Sequence, residues 1–199
     1  MIVQPSAAPR HPARDQPGTE GIWTFVFIDM IVFSLIFLVF LSEKWRVPAV
    51  FNAGYVHLDF KFGLANTLVL LTSSLFMAKA VEAARHADGA RVRARLALCM
   101  GCGALFGLNK VIEYQAKIAA GLNPATDSFF SFYYFVTGAH FLHVLGGLVF
   151  VGHCFARARS DAGNPDYLRK LENTGLFWHF VDLLWLFIFP LFYLAGLTR

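Results

Sequence analysis

Five long apolar runs constrain the fold more than any other feature of this sequence. They cover about residues 21–42, 63–83, 96–117, 131–156 and 174–197. A helix needs about 20 mostly apolar residues to cross roughly 30 Å of bilayer hydrocarbon, and each run is long enough. The runs are continuously apolar rather than alternating, which favours helices over barrel strands. The sequence therefore predicts an all-α integral membrane bundle of five transmembrane helices.

The composition agrees with a membrane location and argues against a nucleic-acid partner. Hydrophobic residues make up 57% of the 199 residues, and only 15% are Asp, Glu, Lys or Arg. Soluble domains usually have about 25% charged residues. The net charge is +4, but Lys and Arg fall in short segments between the apolar runs rather than in one basic stripe. We therefore expect membrane lipids, and no nucleic acid, around this chain.

The chain divides into a short tail and one membrane domain. Residues 1–19 are polar and contain four prolines, which indicates a solvated N-terminal tail. Residues 20–199 form the predicted five-helix domain, because no connection between the runs is long enough for a second domain. The first run exceeds the roughly 7 to 15 apolar residues of a signal peptide and lacks a small-residue cleavage site after it. We expect it to stay in the mature protein.

The orientation follows from the distribution of Lys and Arg between the two sides of the membrane. Ten lie in the tail, the second connection and the fourth connection: Arg10, Arg14, Arg85, Arg91, Arg93, Arg95, Arg157, Arg159, Arg169 and Lys170. Five lie on the opposite side: Lys44, Arg46, Lys61, Lys117 and Arg199. Cytoplasmic segments carry the excess of Lys and Arg. This predicts a cytoplasmic N-terminus and a C-terminus outside.

Asp29 is an acidic residue within the first apolar run, with no charged neighbour close to it in the sequence. An ionisable side chain inside a membrane helix costs several kcal/mol on insertion scales, so it needs a partner or has a role. Removal from water favours the neutral carboxyl. Two interpretations stay open: an acid that handles protons or contacts lipid, and a neutral carboxyl that is hydrogen-bonded to another helix.

Lys110, Glu113, Tyr114 and Lys117 recur at helical spacing in the third run, so they share one face of a helix. Lys110 and Glu113 can neutralise each other within one turn, and we interpret them as a structural ion pair. The same run has Gly103 and Gly107 in the GxxxG spacing that lets another helix approach closely. The second run carries Asn66, Thr67, Ser73 and Ser74, which we expect to form interhelical hydrogen bonds.

Histidines and carboxylates cluster in the last two runs. Tyr133, His140 and His143 fall near one side of the fourth helix, and Glu172, His179 and Asp182 fall on one side of the fifth. These side chains could coordinate a metal or bind haem. The simpler hypothesis is that neutral His and carboxylate groups pair across the two helices, since metal and haem sites usually take ligands from more helices.

Five sequence stretches carry a resemblance to a known family. The last two helices read FYYFVTGAHFLHVLGGLVF and WHFVDLLWLFIFPLFYL, the first helix contains GIWTFVFIDMIVFSLIF, and the second and third contain LANTLVLLTSS and LNKVIEYQ. Together these stretches resemble subunit III of the haem-copper cytochrome oxidases over about residues 20 to 197. The match at WHFVDLLW, with Glu172 seven residues before His179, is the most specific. The chain is similar to the short five-helix form, and it leans toward the branch associated with nitric oxide reductase.

The resemblance implies an accessory subunit of a respiratory electron-transport complex in a bacterial cytoplasmic membrane. Such a subunit binds no haem or copper itself; it packs on a catalytic subunit I that carries haem and copper, holds phospholipid between its helices, and supports sustained turnover or proton uptake. The family has a membrane-buried Glu where this chain has Asp29. Residues that match family motifs are Glu113, His140, His143, Glu172, His179 and Asp182, and with Lys110 they form the predicted intramembrane polar network. The chain is not expected to be catalytic.

Two other classes of function compete with this one. A membrane b-type cytochrome or a metal-site enzyme would use His140, His143 and His179 as ligands. A small transporter would be built around Asp29 and the pair of Lys110 and Glu113. The transporter is the weakest of the three, because the apolar runs show no inverted repeat and no pair of broken helices in matching positions.

Overall fold

The computed structural model describes residues 18–196. Within that range it has five helices that are long and apolar enough to cross a membrane, which confirms the predicted fold class and the number of spanning helices. Most of the predicted N-terminal tail, with Arg10 and Arg14, and the C-terminal Arg199 lie outside the described residues.

The helices extend beyond the apolar runs that predicted them. They are α1 (Glu20–Arg46), α2 (Pro48–Tyr55), α3 (Phe60–Arg85), α4 (Gly89–Ala119), α5 (Ser128–Asp161) and α6 (Pro165–Phe189), and α6 continues into a π turn (Pro190–Leu194). The predicted connection over residues 157–173 is wrong for most of its length, because helix occupies all of it except residues 162–164. An apolar run marks only the part of a helix that lies in hydrocarbon, whereas the helix itself continues into water.

Side-chain caps explain where the four helices after α2 begin. Asp59 accepts a hydrogen bond from the backbone N–H of Lys61 at 2.8 Å, and Asn164 accepts one from that of Asp166 at 2.9 Å. Asp88 and Asp127 cap α4 and α5 in the same way. Such side-chain oxygens satisfy backbone N–H groups that have no partner within the helix. The caps lie outside the apolar runs, so hydropathy alone does not find them.

Helices α3 to α6 form a four-helix unit in which helices that follow one another in the chain also pack together, and α6 closes the ring against α3. The connections after α3 and α5 are very short, which forces antiparallel neighbours. Gly103 permits a close approach within the unit: a Cβ there would lie 2.9 Å from side-chain atoms of Leu148 and Trp178. Helix α1 lies outside this ring and packs mainly against α2 and α6.

Two tryptophans of α6 set its alignment with α3. The indole Nε1 of Trp178 donates to Ser73 Oγ at 3.1 Å, and that of Trp185 donates to Thr67 Oγ1 at 3.0 Å. Asn66 accepts a hydrogen bond from Asn109 Nδ2 at 2.9 Å. The expected interhelical hydrogen bonds of the polar residues on α3 are therefore confirmed.

The π turn at the end of α6 begins at a proline. Pro190 has no N–H and cannot donate the regular bond to the preceding turn. The backbone widens, and the N–H of Ala195 donates to the carbonyl of Pro190, five residues back, at 3.1 Å. A wider turn changes which side chains face inward. Tyr193, which lies in this turn, is buried in the bundle.

Candidate functional site

The most extensive polar cluster surrounds Lys110, whose side chain is 0% exposed. Its Nζ donates to Glu113 Oε2 at 2.8 Å, to the Tyr133 hydroxyl at 3.1 Å and to the Tyr193 hydroxyl at 3.2 Å. A buried ammonium has three donors and no acceptor. All three donors of Lys110 can therefore be satisfied by the chain itself.

Glu113 is the anion at the centre of this cluster. The Tyr193 hydroxyl lies 2.9 and 3.0 Å from its two carboxylate oxygens, and Lys117 Nζ lies 3.8 Å from Oε1. Lys117 also donates to the carbonyl of His57 at 2.9 Å. The interpretation of Lys110 and Glu113 as an ion pair is confirmed, but the pair is part of a larger network. This network joins α4, α5 and the π turn, and it fits a structural role.

Aromatic rings complete the surroundings of the buried ammonium. Lys110 Nζ lies 4.8 Å from the ring centroid of Tyr114, 4.9 Å from that of Tyr133 and 5.7 Å from that of Trp185. The face of an aromatic ring attracts a cation. Tyr193 is the member of the cluster that the sequence did not indicate. The nearest signal in the sequence is Pro190, three residues earlier, where the π turn begins.

A second site joins α1 to α5 through Asp29 and His143. Oδ2 of Asp29 lies 3.4 Å from Nε2 of His143, and their side chains are 15% and 24% exposed. The other imidazole nitrogen, Nδ1 of His143, lies 2.8 Å from the carbonyl oxygen of Ala139. The imidazole packs edge-on to Phe33 and stacks on Phe177. This pair is a polar contact between the middle of α1 and the four-helix unit, beside the ring contacts of Phe25, Phe33 and Phe37.

The contact with Ala139 orients the imidazole. A carbonyl oxygen only accepts, so Nδ1 of His143 donates to it, and Nε2 lies on the side of the Asp29 carboxyl.

The other predicted histidines and carboxylates do not pair as expected. His179 Nδ1 hydrogen-bonds Ser74 Oγ on α3, and Glu172 forms an ion pair with Arg85 at 3.0 Å. His140 and Asp182 have no hydrogen-bond partner among residues 18–196. The predicted pairing of α5 histidines with carboxylates of the last helix is therefore wrong. Helix α3 lies beside α6 and supplies the partners instead.

The three histidines of the alternative haem or metal hypothesis lie in different surroundings. His140 packs against Phe106 and Trp185, His143 faces Asp29, and His179 faces Ser74. Within the described part of the chain, no group of three or more His, Cys, Asp or Glu side chains is placed to hold a metal ion. The structure does not bring these histidines together as one ligand set.

Two clefts flank α1 where it meets the four-helix unit. One, of about 320 Å³, lies between α1, α5 and α6 and includes Phe25, Phe150 and Phe177. The other, of about 260 Å³, is lined by Ile22, Trp23, Val26, Met30, Leu176, His179, Phe180 and Leu183. Both are mostly apolar. Near the first cleft the ring of Phe25 packs against that of Phe177, which in turn stacks on the His143 imidazole.

The family model described as cytochrome c oxidase subunit III matches residues 10–197, which is nearly the whole chain. The chain belongs to this family. As a member of the subunit III family it is a multi-pass membrane protein that belongs to the haem-copper oxidase complexes. Subunit III of the haem-copper oxidases is a family without metal sites of its own.

Relatives named for two kinds of oxidase match this subunit III over most of its length. The cytochrome bo(3) ubiquinol oxidase subunit 3 of Pseudomonas putida is 28% identical over 88% of this chain and 84% of its own length. The cytochrome c oxidase subunit 3 of Bacillus sp. (strain PS3) is 26% identical over 89% of this chain and 86% of its own. A haem-copper oxidase subunit I+III of Aeropyrum pernix is 25% identical over 88% of this chain. The matched part covers 22% of that longer protein.

Proposed function

We propose that the chain is a non-catalytic subunit III that packs on the catalytic subunit of a haem-copper respiratory complex, holds phospholipid, and supports sustained turnover and proton uptake. The match to subunit III over residues 10–197 carries this proposal. The buried polar groups support it, because the Lys110 network is satisfied within the chain and stabilises the bundle.

A catalytic subunit I is the partner that the comparisons favour. The Aeropyrum pernix relative is named as subunit I+III in one chain. A separate subunit III of the same family would use the same neighbour. The partner would supply haem and copper, and this chain would supply no ligand to them.

The two clefts beside α1 support the proposed binding of phospholipid. Helix α1 leaves apolar surface of α5 and α6 open on both of its sides, and acyl chains would fill these spaces. The Asp29 and His143 pair lies on α1 and α5, the two helices that border the larger cleft. We infer that Asp29 either handles a proton there or contacts the bound lipid.

The location would be a bacterial cytoplasmic membrane, with the N-terminus in the cytoplasm. The surplus of Lys and Arg on the side of the α3–α4 and α5–α6 connections supports this orientation. Relatives named for ubiquinol oxidases and for cytochrome c oxidases both match the chain.

Co-purification tests the proposal. The tagged chain is isolated from its own host in mild detergent, with an unrelated tagged membrane protein as control, and a reduced-minus-oxidised absorption spectrum is recorded. We expect a large haem-containing subunit in the sample only with this chain. Haem a or o bands would place the chain in an oxygen reductase. Haem b and c bands alone would favour the nitric oxide reductase branch. A sample without any haem protein would contradict the proposal.

A further inference from the structure

Two clefts meet along one side of α6. One, of about 250 Å³, lies between α3 and α6 and is lined by Ala78, Val81, Glu82, Arg85, Glu172, Gly175, Leu176 and His179. The cleft of about 260 Å³ between α1 and α6 has Leu176 and His179 in its lining as well. The two spaces therefore adjoin at these two residues, and together they form one groove along α6.

The groove is charged at one end and apolar at the other. Arg85 is the last residue of α3 and Glu172 lies near the start of α6, so both are at the same end of the bundle. Leu183, at the far end, follows Glu172 by about three helical turns, or roughly 16 Å. Apart from His179, the part of the groove beside α1 is lined by apolar residues. The groove therefore suits an amphiphile, with its headgroup at the membrane surface and its chain in the hydrocarbon.

The charged end has a carboxylate without a cation. Nη2 of Arg85 donates to Oε1 of Glu172 at 3.0 Å, and this pair is neutral as a unit. Glu82 lines the same cleft, but it forms no ion pair within residues 18–196. A guanidinium has five N–H donors, so Arg85 can bind a second anion beside Glu172. The cleft thus places an anion next to further N–H donors.

These groups select among the headgroups of common membrane phospholipids. An ethanolamine phosphate has a primary ammonium with three N–H donors for carboxylates, and its phosphate accepts hydrogen bonds from a guanidinium. A choline headgroup has a cation without N–H groups. A glycerol headgroup leaves the phosphate as the only charge, and Glu82 would repel it. The ethanolamine headgroup alone among these three matches both Glu82 and Arg85.

We propose that the groove along α6 binds one ethanolamine phospholipid, with its phosphate at Arg85, its ammonium at Glu82 and Glu172, and an acyl chain between α1 and α6. This inference rests on the proposed binding of phospholipid, and it adds a headgroup class and the side chains that select it. His179 lies where the two parts of the groove meet, and its Nδ1 hydrogen-bonds Ser74, which holds the ring against α3.

Lipid competition on the purified complex tests the headgroup class. The complex is exchanged into nanodiscs with equal amounts of phosphatidylethanolamine, phosphatidylcholine and phosphatidylglycerol of the same acyl chains, and native mass spectrometry counts the lipids retained on this chain. We expect phosphatidylethanolamine to be retained several-fold more than either of the others. Equal retention of the three would overturn the headgroup selection and leave the proposed lipid binding intact. Retention of no lipid would contradict that proposed binding, and this inference with it.

Glu82→Gln assigns the selection to the groove, because it keeps the size of the side chain and removes its charge. The preference for phosphatidylethanolamine over phosphatidylglycerol should fall several-fold. Glu20→Gln is the matched control: Glu20 is exposed in the first turn of α1, at the same end of the bundle, and lines neither cleft. It should keep the preference. An unchanged preference in Glu82→Gln would overturn the placement of the ammonium.

A phosphatidylethanolamine with a photoactivatable group in one acyl chain locates the lipid on the chain. We expect it to label Met30 or Leu183, which line the apolar part of the groove. Leu142 on α5 is 68% exposed and reports on lipid that merely surrounds the bundle. Labelling of Leu142 as strong as that of Met30 and Leu183 would overturn the site.

Discussion

Helix α1 and helix α6 are both apolar enough to cross a membrane, yet they are held in different ways. Only Phe33 and Phe40 are buried in α1, whereas α6 buries twelve residues, including both tryptophans that bond to α3. The middle of α1 contacts α5 through the pair of Asp29 and His143 and through the ring of Phe33, which packs on the same imidazole. Hydropathy therefore identifies a spanning helix without telling whether protein or lipid surrounds it.

The charged groups of the membrane interior differ in the same way as these two helices. The ion pair of Lys110 and Glu113 is enclosed by five neighbouring side chains, those of Tyr114, Lys117, Tyr133, Trp185 and Tyr193, and links several elements. Asp29 lies near one histidine, His143, at the edge of the bundle. We expect changes in the first group to affect folding and assembly, and changes in the second to affect the working complex. The predictions below test this division.

Lys110→Met should have the largest effect. It leaves the buried Glu113 with Lys117 at 3.8 Å as its remaining cation, and breaking a buried ion pair typically costs about 3 to 5 kcal/mol. We expect the chain to unfold at lower temperature in detergent and to assemble poorly. The double variant Lys110→Met/Glu113→Leu should recover much of the stability, since no charge is left unpaired. Equal melting temperatures for Lys110→Met and the wild type would refute the structural role.

Gly103→Ala should have a smaller effect on the same unit. The added Cβ would lie 2.9 Å from Leu148 and Trp178, and overpacking typically costs about 1 to 3 kcal/mol. Gly101→Ala is the matched control, because a Cβ there meets nothing within 4 Å. Thermal unfolding should separate the two variants, with Gly101→Ala close to the wild type. If both variants melted alike, the close approach of α4 to α5 and α6 would be in doubt.

Val26→Trp tests the cleft between α1 and α6 and should leave stability nearly unchanged. The larger ring would fill the apolar space that we assign to an acyl chain. Native mass spectrometry should show fewer retained phospholipids than in the wild type. Leu35→Trp, on a face of α1 that is 57% exposed, serves as control and should keep them. The same lipid count in both variants would argue against lipid in this cleft.

Asp29→Asn should have the smallest effect on stability. The amide can still face Nε2 of His143, but it cannot give up a proton at neutral pH. We expect normal assembly and a nearly normal first turnover, followed by a shorter working life or slower proton uptake. Asp29→Glu, which restores the acid, should reverse the defect. Loss of the first turnover in Asp29→Asn would contradict an accessory role.

The sequence predicted the five spans well because each apolar run has to match the bilayer thickness. It could not predict the ends of the helices, since the caps at Asp59, Asp88, Asp127 and Asn164 lie outside the apolar runs. The eight-residue α2 was missed because it lies wholly within a connection between two runs.

The sequence predicted which polar residues lie inside the membrane better than it predicted which residues they pair with. Lys110 and Glu113 are close in sequence, so helical spacing was enough to join them. Pairing His143 with Asp29, or His179 with Ser74, depends on which helices become neighbours, and spacing within one helix does not contain that information. The hydroxyls of α3 gave a usable signal, because interhelical hydrogen bonds were the expected role for them.

Haem content of the chain separated from its partners tests the central claim most directly. After dissociation of the complex in detergent, the isolated chain is quantified and its haem and metal are measured. The account predicts that haem, copper and iron stay with the partner subunit and that the separated chain retains none. About one haem or metal ion per polypeptide on the isolated chain would contradict it and would favour a cytochrome or metal-site enzyme that uses His140, His143 and His179.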